Sequence, residues 1–302
     1  MTQINDIDFE SSTNYVKYLD HGFVGLIDSM GTDESIVQAA RVSYGKGTKG
    51  TRNDRALIRY LVKHKHTSPV EMCEVKFHLK MPIFVMRQHV RHRTANLNEY
   101  SGRYSVMSDE FYIPERANLK PQSTSNKQGR GGQLPPMEEQ MCYNTIKRIG
   151  ASNYDDYLSL LGEHPNDNYN FVDRHGLSRE LSRIVLPLNN YTELYWKIDL
   201  NNFFHYTKLR ADEHAQWEIQ ELARAMYSLV KDKFPIAAEA YEDFMEHAHT
   251  LSRMEIDLVK RLIDKEKWLD LLEDFRDEDG VAKKYGISKR DLNEFKSTWL
   301  NL

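Results

Sequence analysis

The side chains best suited to chemistry are concentrated between residues 91 and 103. The tripeptide Arg91–Arg93 reads Arg-His-Arg, and seven residues separate it from the Ser-Gly-Arg step at Ser101–Arg103. Arginine binds phosphate through paired hydrogen bonds, and glycine lets a backbone N–H group approach an anion closely. The whole chain has a net charge of −4, so this local positive charge predicts a site for a small anionic ligand.

The segment 83–93 is expected to form a helix, which constrains how the tripeptide meets its ligands. Helical spacing places Gln88 and Arg91 on one face, whereas Arg91 and Arg93 are about 200° apart. One small ligand cannot easily contact both arginines. We therefore expect two ligands, or one ligand and a neighbouring subunit, around the tripeptide. The alternative is a solvated cationic face, but the apolar flanking residues favour a helix that packs on a core.

Hydrophobic patterns predict the elements that position these residues. Residues 73–81 and 192–200 alternate between apolar and polar side chains, which predicts two half-buried strands. Helices are predicted at 34–43, 52–66, from about 137 and from about 212. Strands and helices without regular alternation predict an α+β fold, with a mixed or antiparallel sheet core flanked by helices.

Composition and length limit the class of protein. The chain has 302 residues, of which 40% are hydrophobic and 28% charged, an ordinary globular composition. It contains no apolar run of bilayer length and begins with a polar, acidic segment rather than a secretory signal. Its two cysteines match no metal motif. We expect a cytoplasmic protein without membrane association or a metal site.

The chain is expected to contain one large domain and a tail. Residues 1–250 form the predicted domain, within which the Pro-, Gly-, Ser- and Gln-rich run 118–136 is expected to be a flexible loop or insertion. Residues 251–302 are charged and helical in pattern, with a break near Gly280. We assign no role to this predicted helical extension.

Five ordered blocks of sequence carry a specific resemblance to a known family. The blocks are KHKHTSPVE (63–71), PIFVMRQHVRHR (82–93), SGRYS (101–105), RIVLPLNNYT (183–192) and LRADEHAQWEIQ (209–220). Together with the spacing from Arg-His-Arg to the serine, they resemble the flavin-dependent thymidylate synthases over about residues 20–245. A single tripeptide would be weak support, but five blocks in order are specific.

The resemblance implies a fold, an assembly and a reaction. The fold is the thymidylate synthase-complementing type, in a homotetramer with shared active sites. The reaction is the reductive methylation of dUMP to dTMP, for de novo dTMP synthesis. Methylenetetrahydrofolate supplies the carbon, and NADPH reduces a tightly bound FAD that supplies hydride. No nucleic-acid partner is implied.

The resemblance also implies two sets of binding residues, which share Arg91 and Glu99. The implied dUMP-binding residues are Gln88, Arg91, Glu99, Tyr100, Ser101, Gly102, Arg103, Arg183 and Arg210. The implied FAD-binding residues are His66, Ser68, Arg91, His92, Arg93, Glu99, Asp199, Asn201 and His205. Arg103 and Arg183 are expected to hold the phosphate. A common version of the family has Asn-x-Arg where this chain has Asp199, Leu200 and Asn201.

Methylation at C5 of a uracil requires a nucleophilic ring, and the residues offer two ways to obtain it. A cysteine could add to the ring, but Cys73 falls on the apolar side of a predicted strand and Cys142 on a predicted helix. Neither has the cationic, partly exposed setting that activates a thiolate. An arginine at the edge of the ring could instead stabilise the developing charge. Arg210 matches the family's arginine for that role, so the resemblance implies Arg210 as the catalytic residue.

Two other functions remain open on the residues alone. The tripeptide and the tail segment VAKKYGISKRDLNEF (281–295) could belong to a nucleic-acid-binding protein, although the acidic net charge disfavours it. A cysteine-dependent methyltransferase could act on the same nucleotide. Ser101 could be considered a nucleophile, but no His–acid partner is evident, so we interpret it as a binding group.

Overall fold

The alternating segments predicted as strands lie side by side at the centre of a five-stranded sheet. The computed structural model describes residues 12–43, 54–125, 127–170, 176–262, 280, 284–287, 289–295 and 297. The strands are β1 (Tyr15–Tyr18), β2 (Gly22–Met30), β3 (Glu74–Pro82), β4 (Asn96–Glu99) and β5 (Tyr191–Asp199). Their order is β1-β2-β3-β5-β4, and every described pair is antiparallel. The α+β prediction with a sheet core is confirmed.

The described residues also form helices. They are α1 (Asp33–Arg41), α2 (Asp54–Lys63), α3 (Ser68–Glu71), α4 (Ile83–His89), α5 (Pro136–Leu161), α6 (Arg179–Ser182), α7 (Leu200–Arg210), α8 (Trp217–Val230), α9 (Pro235–Tyr241), α10 (Arg253–Leu262) and α11 (Lys289–Phe295). Short 3-10 turns occur at Arg116–Asn118, Asp167–Tyr169 and Arg183–Val185, and a π-helical turn at Glu242–Glu246. No helix among the described residues is both long and apolar enough to cross a membrane.

The main core lies between one face of the sheet and the helices α7 and α8. In the register of β3 with β5, Phe77 lies opposite Trp196 and Leu79 opposite Leu194, and all four side chains are buried. Alternation along a strand places these residues on one face. Burial of each large apolar side chain stabilises the fold by about 1.5–3 kcal/mol. The core therefore fixes the neighbouring ends of α4 and α7, which follow β3 and β5 directly.

The predicted strand at 73–81 is confirmed, but its polar face is more buried than the alternation suggests. His78 stacks on Tyr195, with ring centroids 4.6 Å apart, and its Nε2 lies 2.5 Å from Glu193. Lys80 pairs with Glu110 at 2.6 Å. Polar partners on adjacent segments cover these two side chains, whereas Lys76 on the same face remains partly exposed.

Two helix boundaries differ from the predictions. The helix expected at 83–93 ends at His89, so the Arg-His-Arg tripeptide lies in the turn that follows it, and the helical-wheel argument for its arginines was wrong. The helix expected from about 212 begins at Trp217, because α7 precedes it and the chain turns at 211–216. Residues 203, 204, 206 and 207 of α7 are all buried, so its sequence has no single apolar stripe.

The run 118–136 lies in a loop, as predicted, and its middle is folded by its own backbone. Gly131 N–H donates to the carbonyl of Pro121 at 2.7 Å, and Ser123 N–H donates to that of Gly129 at 2.9 Å. We call residues 121–131, of which 126 lies outside the described residues, the 121–131 arch. These bonds hold the two ends of the arch together.

The chain divides into two compact units, Met1–His247 and Ala248–Leu302. The first contains the whole sheet and helices α1 to α9. The described parts of the second contain α10 and α11. The residues that flank the predicted break at Gly280, 263–279 and 281–283, lie outside the described residues.

Candidate active site

Arg210, the last residue of α7, is held by two hydrogen bonds from its guanidinium group. Its Nε donates to Nε2 of His92 at 2.9 Å, and its Nη2 donates to the backbone carbonyl of Gln88 at 3.3 Å. An arginine has five N–H donors in a rigid plane, so the other donors remain available for a ligand. The ends of α4 and α7 thus position one cation that is fixed in orientation and half-buried.

A cleft of about 580 Å³ opens beside this arginine. Gln88 and Arg210 line it from the ends of α4 and α7, and His214 and Gln216 line it from the turn before α8. Gln128 of the 121–131 arch also lines it. The volume and the mixture of polar side chains are suited to a small polar molecule such as a nucleotide.

The hydrogen bond from Arg210 requires His92 to be neutral at Nε2. Burial, followed by the positive charge of Arg210 and by His205, lowers the pKa of His92 to about 4. Neutral His92 with an accepting Nε2 carries its proton on Nδ1. Its ring also packs edge-on against Tyr206, with centroids 4.7 Å apart. His92 is therefore an uncharged support for Arg210 near neutral pH.

This arrangement predicts a pH dependence of stability. The unfolded imidazole binds a proton near pH 6.5 but folded His92 only near pH 4, so the unfolded state holds more protons between these values. The free energy of unfolding should therefore fall as the pH drops through that window. His92→Gln should flatten this fall, as measured by denaturant unfolding at several pH values. The exposed His249→Gln is the control, and equal slopes for wild type and His92→Gln would contradict the assignment.

A second buried histidine lies behind the first. His89 is fully buried, and its Nδ1 is 3.0 Å from the hydroxyl of Tyr206. Its ring lies 4.4 Å from Trp196, measured between centroids. Burial, with smaller contributions from His92 and Arg210, lowers its pKa to about 3. Trp196, which is buried, is thus a core residue that supports the site from inside.

A second cluster of cations follows β4. Arg103 Nε lies 3.3 Å from the carboxylate of Glu180, and Arg183 Nε donates to the backbone carbonyl of Glu180 at 3.3 Å. A Cβ atom at Gly102 would lie 2.7 Å from Sδ of Met107 and 3.2 Å from Cδ of Arg183, so glycine permits this close approach. The structure therefore brings together the two arginines that were expected to hold a phosphate.

Residues between the two clusters are engaged with the sheet. Glu99 accepts a hydrogen bond from Thr192 at 2.7 Å. The hydroxyl of Tyr100 donates to the carbonyl of Val106 at 2.6 Å, which folds the Ser101–Arg103 turn back on itself. Within the described residues, no hydrogen bond or ion pair joins the Arg210 cluster to the Arg103–Arg183 cluster.

The residues expected to bind FAD lie around α3, α7 and the Arg-His-Arg turn. His66 and Ser68 are exposed at the start of α3, which packs on α7. His205 is exposed on α7, with its ring centroid 6.2 Å from that of His92. Arg91 and Arg93 are exposed and, within the described part of the chain, pair with no carboxylate. These groups present hydrogen-bond donors suited to an anionic cofactor.

The positions that depart from the common family pattern have a local role. The Asp199 carboxylate caps α7, accepting from the backbone N–H of Asn202 at 2.9 Å and from its side-chain amide at 2.8 Å. Such a cap satisfies an otherwise unpaired helix N–H group. Asn201 lies half-buried in the first turn of α7. Asp199 is thus already engaged by the helix that carries Arg210.

Neither cysteine has the features of an activated nucleophile. Cys73 is fully buried, and burial, together with the charge of Asp33, raises the pKa of its thiol to about 11. Cys142 is exposed on α5. Among the described residues, no group of three or more His, Cys, Asp or Glu side chains is placed to hold a metal ion.

The sequence predictions missed two residues beside the cleft, Gln216 and Glu218. Gln216 Oε1 accepts from the side-chain amide of Gln88 at 2.5 Å, and its own amide donates to Glu218 at 2.8 Å. Glu218 is only 2% exposed. A polar residue on the buried side of α8 was the available signal, since buried acids are rare without partners.

Comparison with known proteins identifies the family of this chain. A family model described as "Thymidylate synthase complementing protein" matches residues 25–236. The chain belongs to this family, which confirms the resemblance carried by the five sequence blocks.

The relatives share the name flavin-dependent thymidylate synthase. The protein of Rickettsia bellii is 47% identical over 253 residues, which are 83% of this chain and 86% of the relative. That of Wolbachia pipientis wMel is 46% identical over 281 residues, covering 93% of this chain and 90% of the relative. A solved structure of the UMP/dUMP methylase PolB from Streptomyces cacaoi, bound with 5-Br UMP, is 29% identical with a TM-score of 0.64, covering 76% of this chain and 98% of that one.

Proposed function

We propose that this flavin-dependent thymidylate synthase converts dUMP to dTMP, with methylenetetrahydrofolate as carbon donor and NADPH as the source of electrons for bound FAD. The observation that carries the proposal is the oriented Arg210 guanidinium at the cleft, held by His92 and Gln88. The high pKa of the Cys73 thiol argues against a nucleophilic cysteine as the activating group.

Arg210 would act on the charge that develops in the pyrimidine ring. When C5 attacks an electrophilic carbon, electron density shifts within the ring, and a fixed cation at the ring edge stabilises the changed distribution. Because two hydrogen bonds already orient the guanidinium, little reorganisation is needed at that moment. Neutral His92 supports this role, since a protonated imidazole could not accept the hydrogen bond from Nε.

Arg103 and Arg183 would bind the phosphate of dUMP. Two guanidinium groups close to the Ser101–Gly102 backbone offer several N–H donors to one phosphate. Gly102 allows this approach, because a larger residue would displace Arg183 or Met107. Glu180 holds both arginines near each other before the nucleotide arrives.

The exposed donors around α3, α7 and the Arg-His-Arg turn fit an anionic flavin. Arg91 and Arg93 would contact the diphosphate, and His66, Ser68 and His205 would contribute further hydrogen bonds to FAD. When bound, the flavin supplies the hydride that no side chain can provide. The carboxylate of Asp199, engaged as a helix cap, would serve FAD chiefly by fixing the start of α7.

We also propose a homotetramer with shared active sites and a cytoplasmic location. This assembly is the one that the family resemblance implies. Residues 1–250 would form the catalytic domain, and the helical residues 251–302 would form an extension outside it. Equilibrium ultracentrifugation with and without dUMP would measure the assembly.

The direct test is product formation by the purified protein. Incubated with dUMP, methylenetetrahydrofolate, FAD and NADPH, it should form dTMP, measured by mass spectrometry. No dTMP should form when NADPH is omitted, or when the protein carries no FAD. Formation of no dTMP by protein that retains flavin would refute the proposed reaction.

The cysteines should be dispensable for this reaction. The double variant Cys73→Ser, Cys142→Ser should retain most of the wild-type turnover, because neither thiol takes part. The measurement is kcat for dTMP formation, with the single variant Cys142→Ser as the control for the loss of an exposed thiol. Loss of turnover in a folded, flavin-bound double variant would favour a cysteine-dependent route.

A further inference from the structure

The 121–131 arch places an arginine on a buried acid of α8. Nη2 of Arg130 lies 2.5 Å from Oε1 and 2.6 Å from Oε2 of Glu218. The guanidinium group also lies above Trp217, 5.9 Å from its ring centroid. Glu218 is 2% exposed, whereas the side chain of Arg130 is 29% exposed. The arch is therefore attached to the core of the catalytic unit through this ion pair.

Both oxygens of Glu218 have further partners. Tyr112 donates to Oε1 at 3.1 Å, and the side-chain amide of Gln216 donates to Oε2 at 2.8 Å. A buried carboxylate is stable only when opposite charge and hydrogen bonds compensate for its lost hydration. Here the only cation within hydrogen-bonding distance among the described residues is Arg130. Removal of Arg130 would leave this acid without charge compensation.

The bond from Gln216 to Glu218 fixes the direction of a second bond. Because the Gln216 amide nitrogen faces Glu218, its oxygen faces outward and accepts from the amide nitrogen of Gln88 at 2.5 Å. The backbone carbonyl of Gln88 in turn accepts from Arg210 at 3.3 Å. A continuous series of contacts thus leads from the arch to two residues of the nucleotide cleft.

The arch also reaches the cleft directly. Gln128 lines the same cleft as Gln88 and Arg210, two residues before Arg130 in the chain. The backbone bonds that close the arch involve Gly129 and Gly131, the residues on either side of Arg130. Gln128 lines the cleft, and Arg130 forms the buried ion pair. These two separate observations both assign the arch to this site.

We propose that Arg130 and Glu218 are positioning residues for dUMP, acting through Gln216 on Gln88, and that the 121–131 arch is part of the nucleotide site. This inference rests on the proposed function. Without Arg130, the buried carboxylate of Glu218 would have no compensating charge, and the amide of Gln216 would no longer be held in one orientation. Gln88 would then lose the orientation in which it meets the nucleotide.

The test compares Arg130→Met with wild type as the flavin-loaded holoenzyme. Methionine retains an apolar stem over Trp217 but removes the charge. The dissociation constant and KM for dUMP should rise about 10- to 100-fold, because a small displacement of a side chain that positions a substrate has effects of this size. Turnover at saturating dUMP and affinity for FAD should change far less. Arg130→Lys, which restores the charge, should recover most of the dUMP affinity.

A double-mutant cycle tests whether Arg130 acts through Glu218. Glu218→Gln removes the buried charge, so the variant carrying both Arg130→Met and Glu218→Gln should bind dUMP no more weakly than Arg130→Met alone. Arg116→Met is the matched control, because Arg116 makes an exposed pair with Glu139 at 3.7 Å and should leave the KM for dUMP unchanged. If Arg130→Met does not fold, Glu218→Gln alone tests the ion pair, because it removes the charge of the other partner and should also raise the KM for dUMP.

The outcomes separate this inference from the proposed function. If wild type neither binds nor methylates dUMP, the proposed function fails and the inference fails with it. If wild type binds dUMP and Arg130→Met binds it equally well, only the inference is overturned. Additive effects in the cycle, or a parallel loss of FAD and dUMP binding in Arg130→Met, would likewise overturn it, because they indicate a separate or merely structural role.

Discussion

Arg210→Ala should lower the rate of dTMP formation by about 100- to 1,000-fold, the usual effect of removing one preorganised charge-stabilising donor. The structure gives the physical reason. The guanidinium is fixed by His92 and the carbonyl of Gln88, with its other donors free to meet the ring in the cleft. In the alanine variant water would occupy the place of the guanidinium group, and water must reorganise as charge develops. The measurement is kcat for dTMP formation at saturating dUMP.

The fold and the flavin should survive this change. Arg210 is at the last position of α7, and its removal leaves the aromatic core of that helix in place. Flavin absorbance and thermal unfolding should remain close to wild type. Arg55→Ala is the control for losing an arginine, since Arg55 is exposed and pairs with Glu239 on the surface. Turnover of Arg210→Ala within a few-fold of wild type would rule out the assigned role.

Arg103→Ala should weaken dUMP binding by about 1.5–3 kcal/mol, the contribution typical of a hydrogen bond to a charged group. The side chain of Arg103 is more than half exposed and pairs with the carboxylate of Glu180 at 3.3 Å. Its loss should therefore affect the ligand more than the fold. The measurement is the dissociation constant for dUMP, from titration of the flavin spectrum.

Deoxyuridine provides the matched ligand for this prediction. It has the same base and sugar but no phosphate, so wild type and Arg103→Ala should bind it with equal affinity. An unchanged dissociation constant for dUMP would contradict the phosphate role of Arg103. An equal loss for both ligands would place Arg103 against the base or sugar instead.

The strands of the core could be predicted from the sequence because their signal is local. The alternation of Val75, Phe77 and Leu79 directly records which face of the sheet is buried, and the structure confirms it. The extent of α4 was harder to predict. Its apolar period continues through Val90, but the helix ends at His89. Arg91 and Arg93 therefore lie in a turn and not on opposite faces of a helix.

In the candidate site, too, residues in short motifs could be predicted from the sequence, whereas contacts between distant segments could not. Arg91–Arg93, Ser101–Arg103 and Arg210 stand in short motifs and could be selected from the sequence. The ion pair of Arg130 with Glu218 joins residues 88 positions apart. Glu218 lies in the block 209–220, but Arg130 lies in none of the five blocks, so no sequence pattern connects the two. Only the fold shows that a loop with an unremarkable polar composition closes on the cleft. Contacts between distant segments are therefore the part that sequence patterns could not supply.

The central claim is that flavin and dUMP occupy one site, and the visible absorption spectrum of the purified protein tests it most directly. We expect the bands of oxidised flavin, retained or acquired on incubation with FAD, and a saturable shift of those bands on titration with dUMP. A protein that stays colourless after incubation with FAD, or a flavin spectrum that dUMP does not alter, would contradict the account.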